Sequence, residues 1–134
     1  MPLSELIREG EPDAASSWRL PAILQEVEAE AGASFVLDLI KTYQSEAAER
    51  IDIARAAARS GDREGLRKHC HSLNGSSRQM GANRLAAMYE QLERSSADAS
   101  LAEIAAGLDV AAMQFQETCR VLGGYDPSNQ RLPQ

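Results

Sequence analysis

Apolar residues recur along this chain every three or four positions, the spacing that gathers them on one face of an α-helix; no stretch alternates as a half-buried strand does. Leu20, Ile23, Leu24, Val27 and Ala31 form a short first stripe, and Pro21 suits the first turn of that helix. After Gly32, the residues Phe35, Leu39, Tyr43, Ala47, Ile51, Ala54 and Ala58 predict a longer helix. It stops at Gly61, and Asp62 is a natural N-cap for the next. A third helix is predicted from about Asp62 to about Met80, closed by Gly81, and a fourth around Leu85, Met88, Tyr89 and Leu92. Ser100 and Glu103 have the spacing of a capping box before a fifth stripe of Leu101, Ile104, Leu108, Ala111, Phe115, Cys119 and Leu122. The Gly-Gly-Tyr-Asp-Pro run at 123–127 ends it.

Short connections between amphipathic helices make consecutive helices antiparallel neighbours. The expected fold is therefore all-α, an up-and-down antiparallel four-helix bundle with a short additional N-terminal helix packed across one end. Residues 1–17 mix Ser, Glu, Pro and Gly without a sustained apolar period and read as a flexible segment or linker. The bundle occupies 18–122, and 123–134 read as a flexible tail. A length of 134 residues suits one domain.

The composition changes this picture little but excludes several functions. Apolar residues make up 43% of the chain and aromatic ones only 4%, a helical balance. The net charge of -6 opposes binding to nucleic acid or anionic membrane, which needs a dense cationic surface. The N-terminus lacks the cationic start and apolar core of a signal peptide, and no apolar run reaches membrane-spanning length. Cys70 and Cys119 each fall in an apolar stripe, as reduced core thiols of a cytoplasmic protein do. No large apolar patch is expected on the polar faces, so the chain is expected to be a monomer.

Candidate chemistry concentrates in the third helix, which carries both histidines, His69 and His71. With about 100° per residue and Leu66 as zero, Leu66, Cys70, Leu73, Ser77 and Met80 fall within about 40° of one direction, the buried seam. His71 lies about 140° from it and faces solvent, while His69 lies about 60° to the other side. The rings diverge and cannot grip one ion, because a helical metal pair needs a spacing of three or four. No metal site is expected. Arg67, Lys68, Asn74, Gly75 and Arg78 share the His71 face. Three cations around one exposed imidazole in an acidic chain are compatible with a solvated face. Gly75 argues for more, since a mid-helix glycine costs about 1 kcal/mol relative to Ala and here removes bulk beside the ring. A close approach by another protein explains it. Ser76 and Ser77 read either as small residues at a tight helix contact or as hydrogen-bond support for the imidazole or a bound phosphoryl oxygen; Gln79 is equally open. Glu90 and Glu93 read as surface charge.

The run His-Ser-Leu-Asn-Gly-Ser-Ser at 71–77, followed by Gly81-Ala82, Leu85 and Leu92-Glu93, resembles the histidine-containing phosphotransfer (HPt) domains of bacterial phosphorelays. Their pattern is His-x-Leu-Lys-Gly-Ser-Ser/Ala, then Gly-Ala, Leu and Leu-Glu, and about residues 18–122 fit. One position departs: the family commonly has Lys three residues after its histidine, and here stands Asn74. The resemblance implies a phosphorelay intermediate in which His71 accepts a phosphoryl group from a receiver-domain aspartyl phosphate and passes it to another receiver aspartate. It implies no intrinsic cofactor, Mg²⁺ on the receiver partner, and no autonomous kinase activity. The implied partners are response-regulator receiver domains and a hybrid sensor histidine kinase. Arg67, Lys68 and Arg78 are candidates to supply the charge that Asn74 lacks. The competing reading is a helical interaction module without chemistry that binds and occludes a receiver or kinase.

Overall fold

A computed structural model describes residues 18–127. Five helices follow one another: α1 (Ala22–Ala31), α2 (Ala33–Ser60), α3 (Arg63–Gln79), α4 (Asn83–Ser95) and α5 (Leu101–Gly123). Helices α2 to α5 pack in a ring, each against the next and α5 back against α2, while α1 lies on α2. This is the all-α four-helix bundle with a short additional N-terminal helix, and no strand occurs among the described residues.

The sequence signals for helix ends work as the chemistry requires. Pro21 caps α1, its carbonyl accepting from the N–H groups of Leu24 and Gln25. Gly61 closes α2, and the Asp62 carboxylate accepts from the Gly65 N–H at 2.9 Å to open α3. Ser100 Oγ accepts from the Glu103 N–H at 3.1 Å at the start of α5. Gly81 is a position that only glycine fills easily. Its φ of 74° is left-handed, and a Cβ there would come within 3.1 Å of Pro21 Cγ and 3.2 Å of Trp18 Nε1.

The core is aliphatic: Leu66, Cys70 and Leu73 from α3 meet Leu85, Met88, Tyr89 and Leu92 from α4 and Ile104, Leu108, Ala111 and Leu122 from α5. The inward face of α2 differs from the expected stripe at its N-terminal end. Val36 and Ile40 are buried, whereas Phe35 is 48% exposed. A run at strict spacing of four drifts by about 40° per step on a helix of 3.6 residues per turn, so Phe35 and Tyr43 cannot share one narrow face. In α1, Leu24 is buried and Ile23 is exposed, and Leu20 is buried just ahead of the helix.

The edges of the bundle are also corrected. Residues 123–127, expected within a flexible tail, belong partly to the core: α5 runs to Gly123, and Tyr125 is buried. Its ring meets that of Trp18 edge-on at 5.8 Å, and its hydroxyl donates to Glu28 at 2.6 Å. Both aromatic residues close one end of the bundle, beneath α1. The flexible segment expected at 1–17 and the remainder of the tail, 128–134, lie outside the described residues.

Candidate functional site

Helix α3 is fixed along its length. At its start, the Arg63 guanidinium donates to the carbonyls of Ser96 and Ala99 at 2.9 and 2.8 Å, tying it to the α4–α5 connection. In its second half, the fully buried Ser77 hydroxyl lies 2.8 Å from the Tyr43 hydroxyl of α2. At its end, the Trp18 indole donates to the Met80 carbonyl at 2.9 Å. A helix held this way presents its outer face as a rigid surface.

His71 stands on that face, its side chain 71% exposed. Its Nδ1 is 3.0 Å from Oε2 of Glu93, which reaches across from α4 and is itself only 22% exposed. An ionised carboxylate only accepts, so Nδ1 is the donor in this bond, and whenever the ring is neutral its lone pair lies on Nε2. Glu93, which the sequence reading assigned to surface charge, is thus the side chain that sets the tautomer and orientation of His71. Its signal was the Leu-Glu pair at 92–93: Leu92 faces the core, and the residue after it is carried to the α3–α4 seam.

The cations expected around His71 differ in circumstance. Arg67 donates to Glu64 with two nitrogens, at 3.1 and 2.6 Å. That bond holds the Glu64 carboxyl below its usual range and raises the guanidinium. Arg78 donates to Oδ1 of Asn74 at 3.0 Å. Lys68 is exposed and makes no hydrogen bond or ion pair among the described residues, although its charge also lowers the Glu64 carboxyl, more weakly than Arg67 does. Around Gly75, a Cβ would meet nothing within 4 Å, so the space beside the ring opens to solvent and no neighbour within the bundle requires a glycine there.

The remaining sequence candidates lie elsewhere. Ser77 is a packing residue buried against Tyr43, and the Ser76 hydroxyl donates back to the Leu73 carbonyl at 3.3 Å. Ser76 and Gln79 line a groove of about 290 Å³ between α2 and α3, together with Tyr43, Glu46, Arg50 and Ser72. That groove is on the flank of α3 away from Glu93. His69 is on this flank too, with Nδ1 3.1 Å from the Arg50 guanidinium. The structure therefore brings His71 together with Glu93 and separates it from His69, Ser76, Ser77 and Gln79. No group of three metal-ligating side chains occurs among the described residues. None of the described helices is long and apolar enough to cross a membrane.

The structure is a four-helix bundle that carries one exposed, carboxylate-oriented imidazole on α3. The family model of the Hpt domain matches residues 38–122, and the chain belongs to that family. Membership supports a histidine phosphotransfer role in phosphorelays and interaction with receiver domains or kinases in general. Searches of curated proteins and of solved structures gave no match.

Proposed function

We propose that His71 is the phospho-acceptor, taking a phosphoryl group from the aspartyl phosphate of one receiver domain and passing it to the aspartate of another. The observation that carries this reading is the Nδ1 bond to Glu93, which leaves the Nε2 lone pair on the open side of an exposed ring. In the forward step, Nε2 attacks phosphorus in line, the N–P bond forms as the P–O bond to the aspartate breaks, and the bonding pair leaves with the carboxylate. The ring gains positive charge while Nδ1 keeps its proton, and the Glu93 carboxylate stabilises that charge at the position where it develops. The return step reverses these movements towards the second receiver.

Phosphoryl transfer of this kind needs positioning and neutralisation of charge rather than covalent assistance. The receiver supplies its own acidic residues and Mg²⁺. This chain supplies a reachable nucleophile, clearance at Gly75, and cationic side chains around the ring. Burial of Cys70, next to His71 in the chain, with its thiol pushed up to about 12, keeps that thiol from competing as a nucleophile.

The test is incubation with a phosphorylated receiver carrying labelled phosphate. Label should appear on this chain in an acid-labile, comparatively alkali-stable form, be lost in His71→Gln, and persist in His69→Gln. Stable receiver binding without label would instead establish the occluding module.

A further inference from the structure

A phosphoryl group on an imidazole brings close to two negative charges into a site whose oriented carboxylate, Glu93, is itself negative. Some cation has to offset both. The lysine that the family commonly carries three residues after its histidine is Asn74 here, and Asn74 donates no charge. Three cations share the face, and the structure separates them. The charge of Arg67 is matched by its two bonds to Glu64, with Glu93 adding a weaker pull. Arg78 is held by Asn74 on the turn beyond the ring. Side chains on a helix lean towards its N-terminus, so the His71 ring leans away from that turn and over the one bearing Arg67 and Lys68.

Viewed down α3 from the Leu66 direction, Arg67 lies at about 100°, His71 at about 140°, Gly75 at about 180° and Lys68 at about 200°. Glu93 holds Nδ1 on the Arg67 side, where its charge is felt by that guanidinium. With Nδ1 on that side, ring geometry puts Nε2, at the tip and on the edge away from Nδ1, on the side of Gly75 and Lys68. Residues three apart on a helix have Cβ atoms about 5–6 Å from each other, and the four-carbon stem of a lysine spans that gap with freedom to follow its target. We propose that Lys68 is the cation that meets the phosphoryl group on His71, the charge having moved from three residues after the histidine to three before it. This assignment rests on His71 being the acceptor.

Unit charges about 4 Å apart, screened as in bulk water, change a rate by about fivefold, and a phosphoryl charge of about -1.5 raises this to about tenfold. The full chain is treated with phosphoramidate, from which His71 Nε2 takes the phosphoryl group as the P–N bond breaks and ammonia leaves. Phosphorus NMR then follows formation and hydrolysis of phosphohistidine at low and high salt. Lys68→Ala should form phosphohistidine about fivefold to tenfold more slowly at low salt, with the deficit shrinking as salt rises. Lys68→Arg should keep at least about half the wild-type rate, and Arg78→Ala should change it by less than about twofold, on the same screening argument. An unchanged melting curve for Lys68→Ala separates loss of charge from loss of fold. A wild-type rate in Lys68→Ala, or a larger loss in Arg78→Ala, overturns the assignment while leaving labelled His71 intact. Absence of label at His71 in the wild type overturns the acceptor reading itself, and the role of Lys68 with it.

Discussion

Replacing Glu93 is the sharpest perturbation of the site, because it acts through a single hydrogen bond. In the folded protein its carboxylate accepts from His71 Nδ1 at 3.0 Å. Hydrogen bonds to charged groups contribute about 1.5–3 kcal/mol. His71 is 71% exposed, so water competes for Nδ1 and the lower end applies. During transfer the ring becomes cationic, and the carboxylate gains over a neutral acceptor at that moment, which makes the bond stronger in the transition state than in the ground state. A loss of about 1.4 kcal/mol of that differential interaction is a tenfold loss in rate. Glu93→Gln keeps an acceptor but not the charge, and should slow phosphorylation of His71 by about threefold to tenfold; Glu93→Ala should slow it by about tenfold or more. Rapid-quench transfer from one phosphorylated receiver gives the rates. Nitrogen NMR of His71 gives a second reading: the wild-type ring should hold its proton on Nδ1, and Glu93→Ala should populate the other tautomer. Wild-type transfer rates in both variants, with the tautomer unchanged, would refute the orienting role.

Three further outcomes follow from the same geometry. Gly75→Ala should stabilise α3 by up to about 1 kcal/mol, since a Cβ there meets nothing, whereas Gly75→Leu should slow transfer from a receiver at least about tenfold; unchanged kinetics in Gly75→Leu would remove the close-approach explanation. Trp18→Ala removes a buried indole, its bond to the Met80 carbonyl and its contact with Tyr125, and should cost about 3–5 kcal/mol in denaturant unfolding. A cost below about 1 kcal/mol would show that the clasp at the end of α3 carries little of the fold. Burial raises the Cys70 thiol from its ordinary 9.0 to about 12, so above about pH 9 the unfolded chain loses a proton that the folded chain keeps, and stability falls as pH rises by up to about 1.4 kcal/mol per unit. Tyr89, also pushed upward chiefly by burial, adds to the fall above pH 10. Denaturant titrations at pH 8 to 10.5 should therefore show a shallower decline in Cys70→Ala than in the wild type, and equal slopes would refute the assignment.

How legible the fold was depended on whether a signal is local. Helix ends written in single residues, such as Asp62 capping α3 and Ser100 capping α5, are formed as read, because a cap is a bond between a side chain and a backbone group three residues away. The buried faces of α3 and α4 were equally plain, with Leu66, Cys70, Leu73, Leu85, Met88 and Leu92 all inside. Helix α2 was harder. Its 28 residues are rich in alanine, which fits either face, so its few large residues had to decide the register. Phe35 falls in the predicted stripe at a strict spacing of four, although Val36 and Ile40 keep better phase with Tyr43 and Ala47. Tyr125 was hidden for a different reason: it follows two glycines that end α5, and only the arrival of Trp18 and Glu28 from the other end of the described chain makes its burial worthwhile.

The site divides along the same line. His71, Gly75 and the three cations belong to one helix, so a wheel drawn on α3 is enough to order them around it. Glu93 lies 22 residues away on another helix, and no periodicity within α3 or α4 alone predicts that its carboxylate meets Nδ1. The two serines after Gly75 show the converse. Their chemistry suits a phosphate, but Ser77 falls close to the seam, where Tyr43 takes its hydroxyl, and Ser76 turns back on its own helix. A buried hydroxyl needs a partner, and once that partner is inside the bundle the group is committed to packing. Residue type therefore suggested more site members than the helix can present. The angular position on α3 decides among them: what faces the core stabilises the platform, and what lies from about 100° to 200° around it is left on the outer face.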